Sequence, residues 1–261
     1  IAETNDGYLT KLDVSDVYTA DHQLTEVIAP PPEIAPVNNR WFLRDSNYSG
    51  SFPLSAAKAA WFLEKENGPG VDSVIALDLS LIEKLLRLTG PIKIPELSSP
   101  LTAENFSTIV SYTVEAKVFG KENPKIILQN FLPAFQKAIF ERADAVSLLN
   151  VLREAIETKH LLGYSKDKTV QDFFERSGLA GEMKSLGPQV DYLSIIHTAI
   201  GGNKSDAFIT ESITHDTFLR RDGRIINEVS ITRHHTWTDE NQRRLQSTIG
   251  LFGFSDISKN I

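Results

Sequence analysis

The sequence VDSVIALDLSLIEKLLRLTGPIKIP, from Val71 to Pro95, decides the predicted fold class. Its first part, Val71 to Leu77, is a short apolar run that suits a buried strand. Ser80 to Leu88 continues as an amphipathic helix, which Thr89-Gly90-Pro91 ends. Ile92-Lys93-Ile94 then predicts a further short strand. A strand, a helix and a strand in succession indicate an α/β unit.

Helical patterns follow this unit. Apolar residues at helical spacing predict helices from Ala103 to about Phe119, from Pro124 to Glu141 and from Asp144 to Lys159. Leu161 to Tyr164 is typical of a short strand, and a further helix is predicted from Thr169 to Arg176. These elements favour a mixed central sheet flanked by helices.

The C-terminal part is richer in strand patterns. Val190 to Ile200 is apolar and strand-like, and two alternating runs, Ala207 to Leu219 and Arg224 to His235, surround an Asp222-Gly223 pair that predicts a hairpin. We therefore expect one α/β domain over residues 1–235, with a β-rich C-terminal part that joins the same sheet. Residues 236–261 are predicted to form a weakly patterned C-terminal extension.

Composition excludes several kinds of protein. A net charge of −7 argues against broad nucleic-acid binding, which needs a clustered basic face. The chain has no cysteine, which excludes disulfides and thiolate metal sites, and its six histidines form no zinc signature. The single methionine is Met183, so we expect the sequence to be a piece of a longer polypeptide, with any membrane anchor before Ile1.

The stretch RWFLRDSNYSGSFP, from Arg40 to Pro53, is the first candidate site. A strand-like run, Trp41 to Leu43, leads into Arg44, Asp45 and Asn47 in a loop that Gly50 and Pro53 close. The planar donors of Arg44 suit phosphate or carboxylate, and Asp45 could orient them or act as a base. The structural alternative is that Arg44 and Asp45 pair with other side chains, or that Asp45 and Asn47 cap the loop.

Several segments together resemble the bacterial DUF 4012 family, a domain of unknown function in cell-surface proteins. They are RWFLRDSNYSGSFPLSAAKAA, VDSVIALDLSLIEKLLRLTGPIKIP, LTAENF, the segment Lys159 to Leu162, and DYLSIIHTAIGGNKSDAFI. The resemblance runs from about Gly7 to His235. It implies an extracytoplasmic protein at the cell surface, anchored by a membrane helix before Ile1.

A more distant similarity is to the LytR-CpsA-Psr family, which moves glycopolymers from a polyprenyl-pyrophosphate carrier onto the cell wall. Arg44-Asp45 stands where that family has an Arg-Asp pair after a core strand, and Glu122, Lys125 and Gln129 follow the spacing of its downstream motif. The similarity implies a LytR-CpsA-Psr-like architecture, with Arg44 and Asp45 as catalytic residues and Lys117 among those that bind substrate.

Departures from that family are also visible. The family has several arginines where this chain has Lys117, Lys125 and Leu128, so fewer bidentate phosphate contacts are available. The resemblance implies magnesium as a cofactor, but its acidic ligands would precede Ile1, and we predict no metal-ligating residue in this sequence. Alternatively, Lys117 and Lys125 are solvated helix charges.

The segment Gly201-Gly202-Asn203-Lys204-Ser205-Asp206 is a secondary candidate. Its glycines, Lys204 and Ser205 resemble a phosphate-binding loop, but the spacing is not that of a P-loop and a strand follows in place of a helix. The alternative is a tight turn in which Lys204 pairs with Asp206. We include Lys204 with Asn47, Lys117, Lys125 and Gln129 as predicted substrate-binding residues.

Two functions follow as expectations. The first is a cell-envelope domain that binds or transfers a polyprenyl-pyrophosphate-linked glycopolymer. The alternative is a non-catalytic surface module that binds polysaccharide or protein, or builds a surface assembly. The transferase requires Arg44, Asp45 and a lysine, Lys117 or Lys125, to converge on a pocket with an apolar extension, whereas the module predicts that these side chains are dispersed and paired.

Overall fold

The computed structural model describes residues 1–120, 125–184, 187, 190, 192–197 and 204–254. The chain divides into two compact units, Ile1–Ile200 and Gly201–Ile261. The sequence analysis placed one domain over residues 1–235 and an extension after it, and that assignment stays a prediction.

The first unit combines helices with short strands, which confirms the predicted α/β class. Its elements in chain order are β1 (Ala2–Asn5), β2 (Tyr8–Leu12), α1 (Val17–Asp21), a 3₁₀-helix (Leu43–Asp45), α2 (Phe52–Lys65), β3 (Ser73–Leu77), α3 (Leu79–Thr89), α4 (Phe106–Glu115), α5 (Ile126–Arg142), α6 (Ala145–Glu157), β4 (Leu161–Ser165) and α7 (Lys168–Arg176).

The strand and helix predicted between Val71 and Leu88 are present as β3 and α3. Asp78 lies between them and caps α3, because its carboxylate accepts a hydrogen bond from the Leu81 N–H at 3.2 Å. β3 pairs in antiparallel register with β4, so that Leu77 faces Leu161. The predicted third strand is reduced to one bridge, between Ile92 and Leu101.

The predicted mixed central sheet is wrong for the described residues. They form three separate two-stranded antiparallel sheets, β1-β2, β3-β4 and, in the second unit, β5-β6. Helices α2, α6 and α7 pack against β4, so helices and not further strands cover the β3-β4 pair. Close packing there requires Gly163, since a Cβ at that position would lie 3.0 Å from atoms of Leu179 and Phe174.

The main core of the first unit lies among its helices. α3 packs against α4, α5 and α6. Phe131 of α5 is fully buried between Phe106, at 4.8 Å between ring centroids, and Phe135, at 4.9 Å. In the described part of the chain, no helix has both the length and the apolar character needed to cross a bilayer.

The second unit contains a 3₁₀-helix (Lys204–Phe208), a hairpin of β5 (Ile209–Leu219) and β6 (Ile225–His235), and α8 (Asp239–Gly250). The hairpin confirms the prediction made from Asp222-Gly223. The predicted strand from Val190 to Ile200 is wrong for its described part, because residues 190 and 192–197 are not in a strand.

Helix α8 occupies the segment that the sequence analysis called weakly patterned. Thr238 and Asn241 form a capping box, in which the Asn241 N–H donates to the Thr238 hydroxyl at 3.3 Å and the Thr238 N–H donates to the Asn241 side chain at 3.0 Å. A Thr followed three residues later by a polar side chain was the sequence signal for this helix.

Truncating the core aromatic of α5 should destabilise the first unit. We expect Phe131→Ala to lower the free energy of unfolding by about 3–5 kcal/mol, since it leaves a cavity where a fully buried ring was. Phe140→Ala is the matched control on the same helix, because Phe140 is 80% exposed. Urea unfolding of both variants checks this, and equal stabilities would contradict the described core.

Candidate functional site

The predicted site loop begins with a 3₁₀-helix, Leu43–Asp45, and not with a strand. The Trp41 N–H donates to the Ile28 carbonyl at 2.8 Å, outside any strand, and the next two donors that the structure describes, Leu43 and Arg44, bond to side chains. The Leu43 N–H donates to Glu66 Oε1 at 3.3 Å, and the Arg44 N–H donates to Asp21 Oδ1 at 3.4 Å. The strand predicted at Trp41 to Leu43 is therefore wrong.

Arg44 forms a partly buried ion pair with Asp21. The distance from Arg44 Nη1 to Asp21 Oδ2 is 2.6 Å, and the side chain of Asp21 is only 1% exposed while that of Arg44 is 29% exposed. Asp45 Oδ2 lies 3.7 Å from Arg44 Nε and accepts a hydrogen bond from Asn38. Two carboxylates thus compensate the charge of one guanidinium.

Two aromatic rings complete the surroundings of Arg44. Its guanidinium carbon lies 4.2 Å from the centroid of Phe42 and 5.5 Å from that of Tyr18. Such contacts favour a cation through the negative face of the ring. Together with the two aspartates, they hold the side chain in one orientation.

Glu66, which follows the last residue of α2, is the third acidic group of this cluster, after Asp21 and Asp45. It is 1% exposed, and its Oε2 has no hydrogen-bond partner among the described residues. Burial raises the pKa of Glu66 because it disfavours the charged form, and Asp21 raises that pKa further. The Leu43 N–H and Arg44 oppose this rise.

Lys125 lies at the other end of α1. Asp16, the N-cap of this helix, accepts a hydrogen bond from the Tyr18 N–H at 3.0 Å, and its Oδ1 lies 3.5 Å from Lys125 Nζ. Asp21 lies five residues after Asp16, a helical rise of about 7.5 Å. The structure therefore brings Arg44 and Lys125 to the same short helix, and each is paired with an aspartate there.

The other predicted substrate-binding residues do not join this cluster through any contact that the structure describes. Asn47 and Lys117 are exposed. Gln129 donates to the Val14 carbonyl at 3.0 Å and lines a pocket of about 380 Å³ with Leu12, Asp13, Val14, Leu132 and Pro133. Lys204 begins the 3₁₀-helix of the second unit.

Two candidate segments lie partly outside the described residues. Of the predicted motif of Glu122, Lys125 and Gln129, the structure describes only the last two. Gly201 to Asn203 of the secondary candidate also lie outside it. Asp206, which the turn alternative paired with Lys204, lies 3.6 Å from Arg233.

Sequence reasoning missed the acidic partners of the site. Asp16 and Asp21 were not among the predicted site residues, although Asp16 followed by Val17-Tyr18 is an N-cap signal. Glu66 was also not among the predicted site residues. No local pattern indicated that it would be buried.

Magnesium was implied only by the LytR-CpsA-Psr resemblance. In the described ranges, no three histidine or acidic side chains are grouped as metal ligands. Asp21, a buried carboxylate of the cluster, already accepts a hydrogen bond from Arg44 at 2.6 Å. Magnesium as a cofactor stays a prediction.

Fold and site together define an α/β protein with an Arg-Asp ion cluster in its N-terminal half. Residues 3–114 match the family described as "Protein of unknown function (DUF4012)". The predicted relationship to this family is confirmed for these residues, and its extension to His235 stays a prediction. No curated protein matches the chain, and no solved structure does.

Removing the guanidinium should expose the structural role of Arg44. We expect Arg44→Ala to lower the free energy of unfolding by about 2–3 kcal/mol, because it leaves the buried Asp21 charge without its partner. Lys117→Ala is the matched control, since Lys117 is exposed. Chemical unfolding measures both, and an Arg44→Ala protein as stable as the control would contradict the pairing.

The raised pKa of Glu66 predicts a dependence of stability on pH. The folded protein keeps this proton at pH values where the unfolded chain, with a glutamate pKa of about 4.3, has lost it. Stability from this group is therefore present at low pH and is lost as pH rises through the raised pKa.

We expect Glu66→Gln to be more stable than the wild type at pH 7, with a difference that shrinks as pH falls toward 4. Thermal unfolding between pH 4 and pH 8 measures this difference. The prediction is contradicted if the stability of Glu66→Gln, expressed as its difference from the wild type, is lower at pH 7 than at pH 4. That result would show that the pKa of Glu66 is not raised.

Proposed function

We propose that this chain is a non-catalytic cell-envelope module that binds polysaccharide or protein outside the cytoplasmic membrane. The observation that supports it is the ion pair of Arg44 with Asp21, at 2.6 Å, within a cluster that also contains Asp45. A phosphate at Arg44 would have to displace a buried carboxylate and would meet a second one nearby. Repulsion between like charges makes this exchange unfavourable.

Lys125 supports the same proposal. Its ammonium is paired with Asp16, and Lys117 is exposed after α4. Arg44 and Lys125 are therefore each paired with an aspartate, and paired cations are the arrangement expected of a module. The extracytoplasmic location and the membrane anchor are parts of this proposal and are supported by the DUF 4012 resemblance alone.

One observation favours the glycopolymer transferase as a second candidate. The pocket beside Gln129 has apolar walls from Leu12, Leu132 and Pro133, and Gln129 lies one helical turn after Lys125. A polyprenyl chain would fit apolar walls of this kind. The LytR-CpsA-Psr-like architecture belongs to this second candidate.

Binding of a short-chain isoprenyl pyrophosphate distinguishes the two candidates. We expect it to leave the melting temperature of the wild type unchanged, with and without magnesium, and native mass spectrometry to detect no complex. Lys125→Gln, which removes the cation one helical turn before Gln129, should behave identically. Magnesium-dependent stabilisation that is lost in Arg44→Ala or Lys125→Gln would instead establish a pyrophosphate site and overturn the module proposal.

A further inference from the structure

One stripe of helix α2 carries aromatic and cationic side chains toward the surface. Leu54, Lys58, Trp61 and Lys65 stand at positions i, i+4, i+7 and i+11 and therefore share one side of the helix. Leu54 is 65% exposed. Phe52, Ala56 and Ala60, which α2 buries, lie on its other side.

Lys58 is held by two tryptophan rings. Its Nζ lies 4.4 Å from the ring centroid of Trp61 and 5.1 Å from that of Trp41. No carboxylate of the described residues lies within ion-pair distance of Lys58. The ammonium is thus positioned by the rings while its charge remains uncompensated; we call this group the Trp41–Lys58–Trp61 surface.

The indole N–H groups of Trp41 and Trp61 differ in their hydrogen bonding. That of Trp41 donates to the Asp45 carbonyl at 3.0 Å, which fixes this ring on the 3₁₀-helix. That of Trp61 has no hydrogen-bond partner in the described part of the chain and is accessible to solvent. Trp61 therefore offers a ring and a free donor beside the Lys58 cation.

Lys65 adds a second cation over Trp61, at 5.7 Å from the ring centroid. It differs from Lys58, because it pairs with Glu26 at 2.7 Å. Within the described ranges, Lys58 is therefore the cation of this surface that has no carboxylate partner beside the aromatic rings. Anionic bilayers and nucleic acids instead favour clusters of several basic residues.

A charged sugar fits these features. The C–H face of a sugar ring packs on an aromatic side chain, a hydroxyl accepts from an indole N–H, and a carboxylate pairs with an ammonium. We propose that the Trp41–Lys58–Trp61 surface binds an anionic polysaccharide, with Lys58 on a carboxylate of the polymer and Trp61 against a sugar ring. This inference rests on the proposed function, because it names the ligand class of the module.

Tryptophan fluorescence with polygalacturonate as the probe tests this inference. The chain has three tryptophans. Trp237 lies in the second unit, so a Trp237→Phe background leaves Trp41 and Trp61 as reporters. We expect polygalacturonate to change their emission in a saturable way and neutral dextran to leave it unchanged. A wild type that responds to neither polymer, or to both equally, would overturn the inference.

A matched pair of lysine variants assigns the effect to the surface. We expect Lys58→Gln to weaken polygalacturonate binding about tenfold, the usual order for losing one charge-assisted hydrogen bond. Lys137→Gln removes the same charge from an exposed lysine of α5 and should bind as the wild type does. Equal affinity of the two variants would contradict the assignment, and so would Lys58-dependent binding to anionic phospholipid vesicles without binding to polygalacturonate.

Failure of this inference is distinguishable from failure of the proposed function. If neither polygalacturonate nor the isoprenyl pyrophosphate binds, the proposed anionic polysaccharide ligand is wrong. The proposal of a non-catalytic module is then not contradicted. If the pyrophosphate binds with magnesium and needs Arg44 or Lys125, the module itself is wrong.

Discussion

The buried ion pair between Asp21 and Arg44 organises the N-terminal half of the structure. It joins α1 to the 3₁₀-helix that contains Arg44, and Glu66 joins that helix to the end of α2. Buried charges cost several kcal/mol each unless they are paired and hydrogen-bonded. The three segments are therefore held in one arrangement, because separating them would leave Asp21 or Glu66 buried without these partners.

The need to pair buried charges also distinguishes cations that stabilise the fold from cations that are available to a ligand. Arg44 points toward two carboxylates, so its charge is used within the fold. Lys58 lies one element later in the chain and contacts the rings of Trp41 and Trp61, and among the residues that the structure describes it has no carboxylate partner. Trp41 links the two environments, because its N–H bonds to the Asp45 carbonyl.

Short sequence patterns correctly predicted those helices, strands and turns that depend on interactions between residues close in sequence. The apolar run before Leu77, the helical spacing after Ser80 and the Asp222-Gly223 turn each act over a few residues, and the structure contains the corresponding strand, helix and hairpin. β4 was also predicted as a strand. Its pairing with β3 was not, because the partners Leu77 and Leu161 lie far apart in sequence.

The candidate site was less predictable for a similar reason. Arg44 was identified, but its partner Asp21 lies 23 residues earlier on a five-residue helix that is too short for a periodic signal. Burial of Glu66 depends on the packing of Leu43 over the end of α2. Neither contact has a signature within a short window, so the sequence left the choice between a phosphate ligand and a structural pair open.

A double-mutant cycle on Asp21 and Arg44 tests the central claim most directly. The free energies of unfolding of Asp21→Asn, Arg44→Met and the double variant, measured with urea, give the coupling between the two side chains. The account predicts a favourable coupling of about 2 kcal/mol, within the range known for residues in contact. Additive effects, within about 0.5 kcal/mol, would show that Arg44 is not used by the fold and is available to a ligand.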